Sequence, residues 1–495
     1  MKVAVIGAGI GGLAVAVRLK RLGLEVDVYE ANSYPGGKLC EIRRGDYRFD
    51  AGPSLFTLPY LVDELFTINN KDPKQYFEYE QLKLACRYFY EDGKIINAYT
   101  DRKKFAEEIE LKTGVDRSRI IEYLDRQQEM FESTGKLFLG KSLHKLKSYL
   151  SQGSLQALKA LSWQSLFSTM QATNQAAFEE PHLVQLFNRF ATYNGSNPYQ
   201  TPGMLSMIAH LEHNIGAFMP RGGMVSITNS VYQLGQDLGV NYHLNTPVDE
   251  IVVDWKKRAN GVKIGNEILK YNLVVSNMDV NPTYRRLLPG QKAPEKTLAQ
   301  ERSSSALIYY WGIKHEFEQL DTHNIFFSQN YQEEFNHIFK HKSISQDPTV
   351  YINITSNHNT ADAPPGAQNW FVMVNVPANY GQDWNQLISE TRKNVILKLN
   401  RMLKTDLNKL IEVEDILHPK LLQARTQSHL GALYGTSSNT RMAAFLRHPN
   451  FSNKIQGLYF TGGSVHPGGG IPLCLLSAKI TAELIEKDYE VVDYK

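Results

Sequence analysis

Two glycine-dense runs stand at opposite ends of this chain, Val3-Ala-Val-Ile-Gly-Ala-Gly-Ile-Gly-Gly-Leu13 and Tyr459-Phe-Thr-Gly-Gly-Ser-Val-His-Pro-Gly-Gly-Gly-Ile-Pro-Leu-Cys474. Each reads as an apolar strand, a turn poor in Cβ atoms and the start of an apolar helix. A turn without Cβ atoms lets the backbone come close to a planar ligand. In the second run Pro472 falls at the opening of the helix, a position proline favours. There the free N–H groups and the positive end of the helix dipole attract negative charge. A ring that turns anionic on reduction, as flavin does, suits Gly463, Ser464, Gly470, Ile471 and Pro472.

The first run has the spacing of a dinucleotide site. Gly7-x-Gly9-x-x-Gly12 lies between a strand predicted over 2–6 and a helix predicted over 13–22, and a second strand over 24–29 ends at Glu30. In such a unit Gly7 makes the turn, Gly9 admits the pyrophosphate, Gly12 lets helix meet strand, and the acid takes the ribose hydroxyls. Ala8 and Ala31 join the set as neighbours of Gly9 and Glu30.

The elements that must hold these runs belong to an ordinary globular chain. It has 495 residues, enough for a large core, and a net charge of +3, too small to point to nucleic acid. The three cysteines, Cys40, Cys86 and Cys474, are too few and too scattered for a disulfide framework or a metal cluster, and they fit a reducing compartment. Glycines interrupt the N-terminal apolar run, and no other stretch reaches the ~20 residues that span a bilayer. The expectation is a cytoplasmic protein, soluble or peripheral on the inner face of the cell membrane.

The segment after Glu30 separates one dinucleotide from another. A nicotinamide dehydrogenase would continue with a helix and a strand. Here come Gly36-Gly37-Lys38-Leu39 and then Asp50-Ala51-Gly52-Pro53-Ser54. With Glu30, these segments resemble the flavoprotein superfamily of amine oxidases and carotenoid desaturases. The resemblance implies an α/β, Rossmann-like FAD-binding domain with an inserted α+β substrate domain. It implies that Gly37, Lys38, Leu39, Gly52, Pro53 and Ser54 line FAD and that Val248 meets the adenine. Asp50 reads equally as a buried turn-former, and Lys38 equally as a solvated surface charge. The FAD domain is expected to be assembled from 1–65, 218–282 and 420–495, leaving 66–217 and 283–419 for the substrate.

Within the substrate part, runs over 307–313, 349–354 and 370–376 are β-prone and apolar on both faces. They predict one wall of a long apolar cavity, with a plain core sheet as the alternative. The stretch 135–177 has no Asp or Glu and carries Lys136, Lys141, Lys145, Lys147 and Lys159 among leucines, Trp163 and Phe167. Such a segment suits docking on an anionic membrane surface, or a covering helical pair with solvated lysines.

The run Gly463-Ser464-Val465-His466-Pro467-Gly468-Gly469-Gly470-Ile471-Pro472 is similar to the signature of bacterial carotenoid (phytoene-type) desaturases, along nearly the whole chain. Around Arg189, Thr192 and Tyr193 the likeness is to the hydroxycarotenoid 3,4-desaturases, which makes those three candidate substrate residues. Arg189 also reads as a salt-bridged core residue and Tyr193 as packing. The implied reaction removes two hydrogens from adjacent carbons of a hydroxylated carotenoid end, one as hydride to flavin and one as a proton to a base. Glu212, His213 and His466 are the base candidates, and His466 reads also as a residue that fixes the turn. No second dinucleotide motif is present, so oxygen or a membrane quinone is the expected electron acceptor. Competing readings are a phytoene or dehydrosqualene desaturase, an amine oxidase, and an FAD-free escort of prenylated proteins on the same fold.

Overall fold

Lys2–Ile6 forms the middle strand of a five-stranded parallel sheet, in the order Leu458–Phe460, Leu273–Ser276, Lys2–Ile6, Glu25–Tyr29, Asn241–His243. The computed structural model describes residues 1–138, 144, 168–440 and 446–490. The central strands are covered on both faces, which is why Val3, Ala4, Val5, Val274 and Val275 follow one another without polar alternation. The helix Ile10–Arg21 begins three residues earlier than the sequence predicts. Gly11 and Gly12 sit in its first turn, and a Cβ on Gly12 would lie 2.0 Å from the carbonyl oxygen of Gly7. Only glycine allows the helix to start so close to the strand.

The closing helix Ile471–Asp488 lies along the opening one. Leu13, Ala14 and Val17 share a core with Leu475, Ala478 and Ile485. The two ends of the chain therefore meet. A third helix, Val225–Asp237, joins them, and Asp50 caps its start, accepting from the N–H groups of Met224 at 2.9 Å and Val225 at 3.3 Å. Asp50 is also ion-paired with Arg48 at 2.6 Å, and Arg48 reaches Glu41 at 2.7 Å and Asp362 at 3.3 Å. Buried and fully engaged, Asp50 takes the capping role and stands apart from the lining of the main cavity.

A second sheet of seven strands lies beyond, in the order Ile411–Leu417, Ser305–Ile313, Gln368–Val376, Val350–Ile354, His323–Phe326, Leu84–Phe89, Ile95–Tyr99. All neighbours are antiparallel except Leu84–Phe89, which runs parallel to His323–Phe326. Leu307, Tyr309, Trp311, Val372 and Val374 face the helix Trp384–Leu403, where Val395 and Leu399 meet them. On the opposite face Ala306, Ile308, Phe371 and Met373 border a cavity. The predicted strands are found, and they are apolar on both faces because one side is core and the other is wall.

The basic stretch 135–177 lies mostly outside the described residues. Its last part is the helix Met170–Phe178, with Met170 and Phe178 buried. Among the described residues no helix is long and apolar enough to cross a membrane.

Asp50→Ala leaves the buried N–H groups of Met224 and Val225 without their acceptor and takes one of three carboxylates from buried Arg48, so it should lower stability by about 3 kcal/mol. Asp101→Ala removes the exposed cap of Arg102–Thr113 and should cost about 1 kcal/mol. Denaturant unfolding of the two variants compares them directly, and equal losses would contradict the role given to Asp50.

Candidate active site

One cavity of about 680 Å³ is bordered by both glycine turns and by the inner face of the seven-stranded sheet. Gly7, Gly9, Glu30, Ala31, Gly37, Lys38, Leu39, Gly52, Pro53, Ser54, Val248, Gly463, Ser464, Gly470, Ile471 and Pro472 all line it. Of the residues the sequence assigns to the cofactor, Ala8 and Gly12 stand behind this surface. Ala8 is fully buried and donates its N–H to Glu30 Oε2 at 2.8 Å. Gly12 supplies the close packing of helix on strand.

Two helix N-termini open on this space. Neither Ile10–Arg21 nor Ile471–Asp488 has a side-chain cap or an acid in its first turn. Their leading N–H groups thus keep their capacity for a ligand's negative charge. Gly470, the N-cap of the closing helix, has φ +107°, and a Cβ there would meet nothing within 4 Å. That emptiness is a cradle in which a ring can lie against the backbone.

The carboxylate of Glu30 is held in position by three donors. Oε2 accepts from Ala8, and Oε1 accepts from the Asn32 backbone at 2.9 Å and from Asn32 Nδ2 at 2.8 Å. About one of its four acceptor sites remains for a ribose hydroxyl. Lys38 is not a solvated surface charge. Its Nζ donates to the carbonyls of Ala432 at 3.2 Å and Leu433 at 2.8 Å, and burial lowers its pKa. These features fit an anionic dinucleotide with a planar ring at the second helix, as FAD requires.

On the substrate side, Arg189 is buried and its Nη2 donates to Tyr88 Oη at 2.6 Å and to both oxygens of Glu212 at 2.9 Å. Tyr193 donates to Glu212 Oε2, and the guanidinium lies over the rings of Tyr88, Phe190 and Tyr193. Burial alone would raise the Glu212 carboxyl, but Arg189 outweighs it and holds the pKa at about 2. Arg189 is therefore both the salt-bridged residue and a cavity residue. Thr192 lines the cavity too, with its hydroxyl bonded to the carbonyl of Arg189 at 2.8 Å.

The three base candidates separate. Glu212 is a strongly held anion whose oxygens are occupied. His213 lies outside the cavity lining, stacked on Phe105 at 4.4 Å and packed by Phe187 and Phe190. Burial pulls its pKa down to about 4 and keeps it neutral. The base reading of His213 is corrected: it is a core ring. His466 does border the cavity, its backbone fixed by bonds to His448 and Asn450, both at 2.9 Å.

Sequence reasoning missed Tyr88, His323 and Tyr351. Their signal was faint: single polar residues in apolar strands, which read as plain core. Asn277, which the family resemblance places at the end of a strand near the cofactor, sits between the two glycine turns and donates to the carbonyl of Gly7 at 3.3 Å.

Comparison with known proteins agrees with this geometry. The family model described as flavin containing amine oxidoreductase matches residues 10–486. A 1-hydroxycarotenoid 3,4-desaturase of Flavobacterium sp. (strain P99-3) is 50% identical over 484 residues, 98% of this chain and 99% of that one. A 4,4'-diapolycopene oxygenase of Methylomonas sp. is 31% identical over 497 residues, 99% of each chain. Among solved structures, an oxidoreductase from Methanosarcina mazei has the same fold, with a TM-score of 0.63 at 15% identity over 98% of this chain and 100% of that one. The resemblance read from the two glycine runs holds: this chain belongs to the flavin-containing amine oxidoreductases, and it is an oxidoreductase whose cofactor is FAD.

Proposed function

We propose that this protein is a carotenoid desaturase, forming a carbon–carbon double bond at the C3–C4 position of a hydroxylated carotenoid end. The observation that carries the reading is the pairing of Arg189 with Glu212 beside the apolar Ile308, Ile325, Phe371 and Met373 of the cavity wall. The two charges are spent on each other, so this wall offers no net charge to an ammonium or a carboxylate. A neutral polyene is the substrate class it suits, and the relative at 50% identity carries that activity in its name.

In this reading 1–65, 218–282 and 420–495 hold the cofactor, and 66–217 and 283–419 hold the substrate. Bound FAD supplies the two-electron, hydride-accepting chemistry. Ile308, Ile325, Phe371 and Met373 keep the polyene in register and exclude water. The N–H groups of Gly470 and Ile471, with the dipole behind them, stabilise negative charge at the start of the closing helix. His466 takes the proton from the carbon next to the one that loses hydride. Oxygen or a membrane quinone then receives the electrons. The composition of 135–177, basic and without Asp or Glu, suits docking on an anionic membrane surface that holds such a substrate.

Glu30 is tested by Glu30→Ala, which removes the acceptor for two backbone N–H groups. Flavin bound per protein, read from visible absorbance, should fall as affinity drops roughly tenfold or more. Unchanged affinity would detach Glu30 from the cofactor.

Activity is tested by expressing the chain in cells that make hydroxylated, non-hydroxylated or thirty-carbon carotenoids and separating the pigments. The expected product lacks two hydrogens and comes from the hydroxylated substrate. A product that gains oxygen would point to an oxygenase, and product from thirty-carbon substrate alone to a dehydrosqualene desaturase. His466→Gln should retain flavin absorbance and lose turnover by about 10²-fold or more. Full turnover in that variant would exclude His466 as the base.

A further inference from the structure

Three side chains on the substrate wall form a hydrogen-bonded chain that desaturation by flavin and His466 leaves without a role. Ser54 Oγ lies 2.8 Å from Tyr351 Oη, and Tyr351 Oη lies 2.8 Å from His323 Nδ1. All three residues line the cavity. His323 is 2% exposed, and among the described residues its Nε2 has no hydrogen-bond partner. An unsatisfied polar atom on a buried ring calls for a ligand group.

Asn353 decides which group. Its Nδ2 donates to the carbonyl of Thr322 at 3.0 Å, which fixes the amide's orientation, and the same Nδ2 lies 3.2 Å from His323 Nδ1. An amide nitrogen only donates, so Nδ1 accepts and carries no proton. The neutral ring therefore bears its hydrogen on Nε2. Burial holds the ring neutral, with its pKa pulled down to about 4. His323 is thus a hydrogen-bond donor at its open nitrogen, not a proton acceptor.

A second donor stands nearby. Arg189 Nε is buried and among the described residues has no partner, although Nη2 is fully used. The strands pair Tyr88 with Ile325, so Cys86, Tyr88, His323 and Ile325 share one face, and Arg189 bonds Tyr88 there. The patch offers donors, while the oxygens of Glu212 are already taken by Arg189 and Tyr193. It is neutral as a whole. An ammonium finds no acceptor in it and a carboxylate finds no uncompensated charge. An uncharged oxygen with lone pairs satisfies it.

We infer that His323 is the specificity-determining residue that reads a hydroxyl on the end of the substrate, donating from Nε2 to the hydroxyl oxygen, with Arg189 Nε as the second donor. The inference rests on the carotenoid reading and adds to it the residue that selects the oxygenated end. Ser54, in the turn that borders the cofactor side, ties this donor through Tyr351 to the place where the ring lies.

The test compares kcat/KM for two acyclic carotenoids that differ only in the terminal hydroxyl, in the flavin-loaded wild type and in His323→Leu, His323→Phe and His323→Gln. The wild type should prefer the hydroxylated substrate. In the Leu and Phe variants that preference should shrink by about tenfold to a hundredfold, through a raised KM for the hydroxylated substrate, with turnover of the other substrate kept. Two apolar replacements are used so that one misfolded variant leaves the other to read. Gln, whose amide can donate, should restore part of the preference. An unchanged preference in the Leu or Phe variant, or equal loss on both substrates, would overturn the inference. A wild type that desaturates neither substrate would bring down the carotenoid reading itself, and this inference with it.

Discussion

The structure depends on how closely two glycine turns from opposite ends of the chain can approach. A Cβ on Gly11 would lie 3.0 Å from the Cα of Gly462 and 2.7 Å from Asn277 Oδ1. Asn277, at the end of the strand between them, fills the gap and bonds the carbonyl of Gly7. Side chains at these positions would push the two turns apart. The two helices that share a core would then no longer point their N-termini into one cavity. The ligand site is thus made by backbone, and its precision comes from atoms the sequence leaves out.

The second constraint is dielectric. A cavity for an oily substrate makes every unpaired charge on its wall expensive. On the side walled by the large sheet the chain meets this by pairing Arg189 with Glu212, surrounded by tyrosine hydroxyls and aromatic faces. Such a pair adds little stability by itself, because desolvation offsets most of the attraction. Its contribution is geometric: it fixes which polar hydrogens of the Arg189 guanidinium remain open toward the cavity.

Much of this was legible in the sequence, for reasons particular to each part. Glycine spacing, an adjoining helix and Glu30 identify the nucleotide end because backbone geometry there admits few residue types. The strands around 307–313 and 370–376 were found because continuous apolar runs have a single physical use, burial on both faces. His213 misled because a histidine next to a buried acid resembles a catalytic pair until Phe105 is seen against its ring. For Lys38 the sequence left a cofactor-lining residue and a solvated charge open, because nothing local announces that two carbonyls almost four hundred residues away receive its ammonium. Asp50 was legible only as an alternative, since Met224, whose N–H it caps, is 174 residues distant. Long-range partners of single polar side chains leave no periodic trace.

The segment from Arg48 to Ser54 is attached to the large sheet at several points. The Arg48 side chain pairs with Asp362 in the turn ahead of the strand Gln368–Val376, and the Arg48 carbonyl accepts from Asn369 Nδ2 of that strand at 2.7 Å. Tyr310 donates to the carbonyl of Ala51 at 2.6 Å, and Ser54 meets Tyr351. The turn that borders the cavity at Gly52–Ser54 and the sheet face that walls it are therefore bonded directly to each other. The spacing between the two is fixed by these bonds, so a ring lying on the turn and a chain lying along the sheet would be held in register by the same few atoms.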